Sequence, residues 1–375
     1  MSAIPLWPAA LAQARLALHL SQPNPHVGCV ITSPAGDVLG QGHTQQAGGP
    51  HAEVMALGDA QARGHDVRGA TAWVTLEPCS HHGRTPPCAD ALVAAGLARV
   101  EVALADPNPR VAGQGVARLR AAGIAVNMLD PADPVARESF ELNIGFMSRM
   151  VRGTPWVRLK IAASLDGRTS LANGISQWIT GPGARADGHA WRARADAVLT
   201  GIGTALEDDP MLDVRLIDVP RQPHLVLVDS RLQARPEARL FGRPDRQVWI
   251  YTASDDEARA APLRDRGATI VRLPNAHGKV DLPALLADMA RREVGELHVE
   301  AGHKLNGSFV REGLVDELLA YLAPKLIGDG RGMADFGPLA ELSQALPLQF
   351  RDIHTVGPDL RLVARVPGRD SFMSA

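Results

Sequence analysis

Glu77-Pro78-Cys79-Ser80-His81-His82-Gly83-Arg84-Thr85-Pro86-Pro87-Cys88 follows directly on a β-rich run, Thr71 to Leu76, and leads into a helical stretch, Ala89 to Ala95. Upstream, Pro50-His51-Ala52-Glu53 opens an apolar run, Val54 to Leu57, that reads as a helix with His51 at its start and Glu53 just inside it. One histidine and two cysteines, His51, Cys79 and Cys88, are the three protein ligands of an open tetrahedral zinc (Zn2+) site. A structural site would close with a fourth ligand, and the extra residue beside this set is Glu53.

Glu53 matches the signature in which a glutamate outside the coordination sphere of a zinc deaminase handles protons. Zinc lowers the pKa of its water toward ~7, and Glu53 would pass protons to the ring nitrogen and the departing ammonia. The plainer alternative is a surface His51 with Cys79 and Cys88 as inert buried thiols. His-x-Glu at a helix start together with Pro-Cys after a strand argues against it. The general deaminase pattern has two residues between the cysteines, whereas here Ser80 to Pro87 place eight between them. That polar, proline-stiffened loop is long enough to close over a substrate, and its His81 and His82 are rival metal ligands.

Outward from this centre the N-terminal part reads as an α/β domain. A first helix spans Ala9 to Leu20 and is stopped by Pro23 and Pro25; strands follow at Val27 to Thr32, before a Gly36-Asp37 turn, and at Arg99 to Ala105. The order helix, strand, strand, helix, strand, helix, strand resembles a three-layer α/β arrangement. A helix is expected from Val135 to Met150, and Gly153-Thr154-Pro155 then marks a boundary, giving domains 1–150 and 151–375. The second half is again α/β. Strands are expected at Trp156 to Ile161, His224 to Val228, Val248 to Tyr251, Thr269 to Leu273, Leu297 to Glu300 and Glu317 to Ala323. Helices separate several of them at Ala184 to Arg194, Leu282 to Arg292 and Leu305 to Glu312.

Length and composition narrow the function classes. A chain of 375 residues exceeds the ~250–300 that one hydrophobic core serves, so two domains are expected. A net charge of -2 and 4% aromatics disfavour nucleic acid as a partner, since both phosphate attraction and base-stacking platforms are lacking. No apolar run is long enough for a bilayer span, and Met1 to Leu20 lacks the layout of a signal peptide, which points to a cytoplasmic protein and no membrane partner. Three cysteines argue against a disulfide framework, and Cys29, inside an apolar strand, reads as a core thiol. The partners left are small molecules and, as a homo-oligomer, further copies of the chain.

The strings Pro23-Asn24-Pro25-His26-Val27-Gly28, His51-Ala52-Glu53 and Glu77 to Cys88 resemble the bifunctional deaminase and reductase of riboflavin biosynthesis, in which the long cysteine spacing is normal. The resemblance runs through nearly the whole chain. It implies a cytidine-deaminase-like first domain acting on 2,5-diamino-6-(5-phosphoribosylamino)pyrimidin-4(3H)-one, deaminated hydrolytically at C2. It further implies that Asn24, His43, Arg84, Asp106 and Asn108 bind this phosphoribosylaminopyrimidine. On residue type alone Asn24 and Asn108 equally serve proline-flanked turns, and His43 a solvated surface.

In the second half Gly201-Ile202-Gly203-Thr204-Ala205-Leu206 begins like a dinucleotide fingerprint, but Leu206 replaces the third glycine and no helix start of the expected kind is evident, so a Rossmann domain is not supported. The turn Glu300 to Ser308 follows a strand and opens a helix, so its backbone N–H groups either cradle a phosphate or make an ordinary turn. Lys160 to Gly167, Ser176 to Thr180 and Glu300-Ala301-Gly302 are similar to the reductase half of the same family, which implies a dihydrofolate-reductase-like fold and NADPH as cofactor. Carried over by motif, Ala162, Trp178, Thr204, Asp208, Ser230 and the turn Gly302, His303, Lys304, Leu305, Asn306, Gly307, Ser308 bind NADPH; Ser176, Arg192, Leu212, Arg215 and Glu300 bind the aminouracil ribose phosphate. Arg192 and Arg215 suit a fork on a phosphate, or are solvated charges; Trp178 stacks on a cofactor ring, or fills core. Hydride transfer to ribose C1′ is the implied reaction, with Lys160 and Glu300 as candidate proton donors. Ser230-Arg231 suits the 2′-phosphate of NADPH unless Asp229 faces the ribose.

Overall fold

The computed structural model describes residues 6–81, 86–109 and 111–374. The chain forms two compact units. One runs to Arg152 and takes in the chain's end from Phe372; the other is Gly153–Ser371.

In the first unit the elements are α1 (Trp7–Leu16), β1 (Gly28–Thr32), β2 (Val38–His43), α2 (Ala52–Ala62), β3 (Thr71–Val74), α3 (Cys88–Ala94), β4 (Arg99–Val102), α4 (Gln114–Ala121), β5 (Ala125–Met128), α5 (Pro134–Leu142) and α6 (Ile144–Arg152). The five-stranded sheet has the order β2-β1-β3-β4-β5. Strand β1 is antiparallel to both its neighbours, whereas β3, β4 and β5 run parallel. All five residues of β1 are buried, as befits a strand covered on both faces. Helix α2 lies directly on β2 because Gly40 and Gly42 have no side chains: a Cβ at Gly40 would sit 2.3 Å from Ala56 O, and one at Gly42 2.4 Å from Met55 Cβ. That close approach sets the depth at which the start of α2 meets the sheet.

Sequence reasoning missed α4 and β5, whose short, half-exposed patterns carry little periodic signal. The single helix expected over Val135 to Met150 is two. Asn143 breaks it by turning its side chain to His26, accepting from His26 N at 2.7 Å and donating to His26 O at 3.2 Å.

The second unit contains β6 (Trp156–Ser164), β7 (Arg168–Leu171), α7 (Pro182–Arg194), β8 (Ala197–Gly201), α8 (Ile202–Asp208), β9 (His224–Val228), β10 (Val248–Thr252), α9 (Glu257–Asp265), β11 (Ala268–Arg272), α10 (Leu282–Arg291), β12 (Glu296–Val299), α11 (His303–Arg311), β13 (Glu317–Ala323), β14 (Gly330–Gly332), β15 (Gln349–Val356) and β16 (Asp359–Arg365). Its nine-stranded sheet has the order β11-β10-β9-β8-β12-β6-β13-β16-β15. The strands from β11 to β13 are parallel and β16 and β15 are antiparallel additions. Alternate residues feed two cores, Leu199, Val226 and Val299 packing with Met289 and Phe309, and Val198, Leu225 and Leu227 with Leu240 and Leu263. A helix does start after Gly201, contrary to the sequence reading; it is short and Gly201 is its N-cap. Loops leaving the carboxyl ends of parallel strands form crevices, and those after β8, β9 and β12 carry the residues of interest.

Candidate functional site

In the first unit, His51 is the N-cap residue of α2 and Cys88 the first residue of α3, so two helix starts bring their side chains to the turn after β3 that holds Cys79. His51 Nδ1 stands 3.6 Å from Cys79 Sγ and 3.3 Å from Cys88 Sγ. The donor atoms of all three lie within 4.8 Å of one another. Tetrahedral zinc with the usual Zn–S and Zn–N lengths separates its ligand atoms by ~3.5–3.8 Å, so this donor set fits the ion. Cys88 N donates to Cys79 Sγ at 3.3 Å, and the Cys79 thiol is held down to about 4, first by its hydrogen bond with Cys88 and further by His51. A thiol poised as thiolate is a ready metal ligand.

Glu53 is only 3% exposed, and burial raises its carboxyl above the ordinary value, reinforced by the charge of Cys79. It hydrogen-bonds the Cys88 side chain. A buried carboxyl with a raised pKa beside a metal site is suited to take up and release a proton. Among the described residues, His81 is not part of the three-residue group, and its buried Nδ1 has no hydrogen-bond partner; His82 and Arg84 lie outside the described residues.

Asp106 is buried, and burial first, then Glu77 and Cys79, pushes its carboxyl up to about 7. Its Oδ1 accepts from Asn108 N at 2.8 Å, which makes Asp106-Pro107-Asn108 an Asx turn beside the cysteine loop. His43 ends β2, and its Nδ1 is 3.1 Å from Gln13 Oε1. Asn24 lies in the turn Ser21 to Pro25, its N–H bonded to Ser21 O at 2.9 Å. Cys29 is fully buried, and burial raises its thiol pKa, as for a core residue.

In the second unit a cleft of about 970 Å³ opens over the carboxyl ends of β8, β9 and β12, lined among others by Thr204, Ser230, Arg231, Gly302, His303 and Lys304. Leu305 and Ser308 also line it. Gly302 is the N-cap of α11 and lines this cleft, so the first turn of that helix is placed to receive an anion. Asn306 and Gly307, in the same stretch, pack against a neighbouring segment instead: Asn306 donates to Met333 O at 2.9 Å, and a Cβ at Gly307 would meet Asp335 O at 1.8 Å. Asp229 offers this cleft no open acceptor. It is fully buried, and its Oδ2 accepts from Gln233 N at 2.6 Å and Ala234 N at 2.8 Å.

Glu300, after β12, gathers the predicted substrate residues. Arg192 of α7 grips it with two donors, Nη2 at 2.8 Å, and Lys160 Nζ is 3.6 Å away. Arg192 is therefore neither a solvated charge nor an open phosphate fork; its remaining Nη1 donates to Asp213 O at 3.0 Å. Burial would raise the Glu300 carboxyl, but Arg192 and Lys160 hold it well below the carboxylate range. Burial lowers Lys160. Arg215 is 48% exposed in its side chain and pairs with Asp213 at 2.8 Å. Ser176 and Asp208 are hydrogen-bonded to each other. Trp178 is 62% exposed with the Arg185 guanidinium 4.6 Å from its ring centroid, so it is not core. Ala162 pairs with Tyr321 across β6 and β13.

Sequence reasoning missed Asp213 and Arg246. Arg246 is buried and donates to Leu212 O at 2.6 Å, Leu240 O at 3.0 Å and Met211 O, holding Leu212 at a φ of 49°. Nothing in the local sequence marks an arginine that reaches back 34 and 35 positions to the carbonyls of Leu212 and Met211.

Comparison with known proteins gives two family matches. Residues 155–362 match the RibD C-terminal domain, and residues 6–104 match the cytidine and deoxycytidylate deaminase zinc-binding region. The riboflavin biosynthesis protein RibD of Escherichia coli K12 is 43% identical over 366 residues, covering 94% of this chain and 96% of its own. Acinetobacter baumannii RibD superposes with a TM-score of 0.86 at 40% identity, over 96% of this chain and 97% of its own. A diaminohydroxyphosphoribosylaminopyrimidine deaminase/5-amino-6-(5-phosphoribosylamino)uracil reductase from Thermotoga maritima does so with a TM-score of 0.83 at 30% identity, again over 96% and 97%.

Proposed function

The chain belongs to the RibD family of riboflavin biosynthesis, and from that premise we propose how its residues divide the two reactions. It is a bifunctional enzyme, a zinc-dependent deaminase in its first half and an NADPH-dependent reductase in its second. The substrate is 2,5-diamino-6-(5-phosphoribosylamino)pyrimidin-4(3H)-one, converted to the aminouracil and then reduced to the ribityl product.

His51, Cys79 and Cys88 hold the zinc, which when bound makes a water nucleophilic at neutral pH. Glu53 accepts the proton that the attacking water loses and returns protons to the pyrimidine ring nitrogen and the leaving amino group. Its burial supports this role, because burial raises its pKa and lets the carboxyl hold a proton more readily than an exposed one. Asn24, His43, Arg84, Asp106 and Asn108 orient the pyrimidine and its ribose phosphate. The observation that carries the reading is the meeting of His51, Cys79 and Cys88 within 4.8 Å beside a buried Glu53.

In the second half NADPH, when bound, supplies the hydride that reduces ribose C1′. Thr204, Ser230, the start of α11, and Ala162, Trp178 and Asp208 hold that cofactor, and Ser176, Leu212, Arg215 and Glu300 the substrate. Arg192 acts by fixing Glu300. The opened ribose oxygen needs a proton, and Glu300, kept ionised by Arg192 and Lys160, has none to give. Lys160 is the donor consistent with this network.

Three reduced thiols suit a reducing compartment, the cytoplasm. Edge strand β15 exposes Phe350 (64%) and Ile353 (55%), which supports a homo-oligomer through that edge. The deciding experiment supplies the phosphoribosylaminopyrimidinone with and without NADPH and identifies the products by mass. Aminouracil without NADPH and the ribityl compound with it are expected; unchanged substrate in both refutes the reading.

A further inference from the structure

Glu77 ends the segment that enters the cysteine loop, two residues before Cys79, and it is 3% exposed. Burying a carboxylate is costly unless its oxygens find partners. No ion pair among the described residues involves Glu77; its partners are backbone N–H groups. Oε2 accepts from Gly113 N at 3.0 Å and Asp106 N at 3.4 Å, and Oε1 accepts from Val116 N at 3.1 Å. Gly113 is the N-cap of α4 and Val116 lies in its first turn, so the carboxylate occupies the helix start where donors are otherwise unpaired and the dipole favours negative charge. Glu77 N in turn donates to Leu104 O at 2.9 Å, two residues past β4.

A second observation concerns the same contact. A Cβ at Gly115 would lie 1.9 Å from Pro78 O and 3.2 Å from Glu77 Oε1, so α4 touches the ligand loop at the peptide between Glu77 and Cys79. Downstream, Cys79 is tied to α3 through Ala89 N to Cys79 O at 3.1 Å and Cys88 N to Cys79 Sγ at 3.3 Å. One end of the loop is thus set by α3 and the other by Glu77 on α4.

We propose that Glu77 is a positioning residue of the metal centre, its carboxylate fixing the Pro78-Cys79 turn and the Asp106 to Asn108 turn together on the start of α4. Cys79 follows Glu77 by two residues and Asp106 N is bonded to the Glu77 carboxylate, so one residue anchors the chain on the metal side and on the pyrimidine side. A change at Glu77 therefore displaces a ligand and a substrate-facing turn at once, without touching His51, Cys88 or Glu53.

The inference rests on zinc being held by His51, Cys79 and Cys88. Its test uses the full chain as E77Q and E77D, with zinc affinity measured by chelator competition and the absorption spectrum of the cobalt(II)-substituted protein. The amide of E77Q turns N–H donors toward N–H donors, and E77D keeps the charge but withdraws it by one methylene. Both variants are expected to fold by near-ultraviolet circular dichroism and to reduce supplied aminouracil at the parent rate. Zinc affinity should fall by about 10- to 100-fold, the size seen when groups supporting metal ligands are lost. The cobalt–thiolate bands should shift and the KM for the pyrimidine should rise. Parent-like zinc affinity and cobalt spectra in either folded variant overturn the proposal. So does loss of tertiary structure in both variants, which would make Glu77 a general scaffold residue. A parent chain that binds neither zinc nor cobalt refutes the ligand assignment and this inference together, whereas a metal-bound parent with unaffected variants refutes this inference alone.

Discussion

Replacing Arg231 by alanine should erase much of the preference for NADPH over NADH. Arg231 is exposed, lines the cleft after β9 and has no ion pair among the described residues, so its guanidinium is available to a phosphate dianion. Its neighbour Asp229, which would favour the free 2′-hydroxyl of NADH, is consumed by the turn: Gln233 N, Ala234 N and Arg231 N all point at its carboxylate. Ser230 stays at the cleft, its Oγ accepting from Val280 N at 3.2 Å. A hydrogen bond to a charged group contributes about 1.5–3 kcal/mol, which corresponds to about 10- to 150-fold in affinity. Exposure of Arg231 and screening by salt favour the lower end, so a loss of about 10-fold is expected. The assay is kcat/KM of Arg231→Ala with each cofactor, together with calorimetric binding of 2′,5′-ADP and 5′-AMP. NADPH and 2′,5′-ADP should weaken, more so at low salt, while NADH and 5′-AMP stay within about twofold. Equal losses for both cofactors, or none for NADPH, refute the reasoning. Asp229→Asn serves as control and should lower stability without changing the cofactor ratio, since its carboxylate serves the backbone.

Cys88→Ser should lose the zinc by metal analysis, because the remaining His51 and Cys79 leave too few ligands for a tetrahedral site; full retention contradicts the assignment. Glu53→Gln should keep the metal and lose deamination by ~10²–10⁴, while reduction of supplied aminouracil persists; activity within a few-fold of the parent would assign the protons to another residue. The second unit should be acid-sensitive. Burial would raise Glu296, but Arg194 and Arg158 hold it down from 4.5 to about 2, and Glu317 is lowered beside Arg158 and Arg365. A depressed carboxylate stabilises the fold above its unfolded pKa and loses that contribution as pH falls through the folded value. Stability by denaturant titration should therefore drop between about pH 5 and 2, by ~3 kcal/mol from Glu296 alone; a flat profile across that window would show the network to be energetically neutral.

The local sequence carried most of the first unit's chemistry. Histidine, cysteine and glutamate announce metal and proton chemistry by residue type, and their spacing places them at helix starts and a strand end within a few positions. Strands such as His224–Val228 and Glu317–Ala323 were equally legible, because long apolar runs in a buried parallel sheet leave a continuous signal. Strands β15 and β16 were not, since β15 is exposed along nearly its whole length and bears no inward pattern.

By itself, then, the sequence singled out the groups that the fold brings together: His51, Cys79 and Cys88 beside a buried Glu53 in one unit, and the strand-end turns near Ser230 and Gly302 that line the cleft of the other. Only the tertiary structure decided what each charged group is free to do. Arg192 reads as a phosphate fork until β12 delivers Glu300, 108 positions away, into its grip. Asp229 reads as a ribose acceptor until the turn after it folds back and fills both oxygens. Glu77 reads as an ordinary residue before a proline until α4, some 36 positions on, sets its N–H groups around the carboxylate. For Arg192 and Glu77 sheet order or helix placement brings the decisive partner from outside the local sequence, and for Asp229 the fold of the following turn supplies it; a buried charge takes whatever partner the fold supplies because leaving it unpaired costs several kcal/mol.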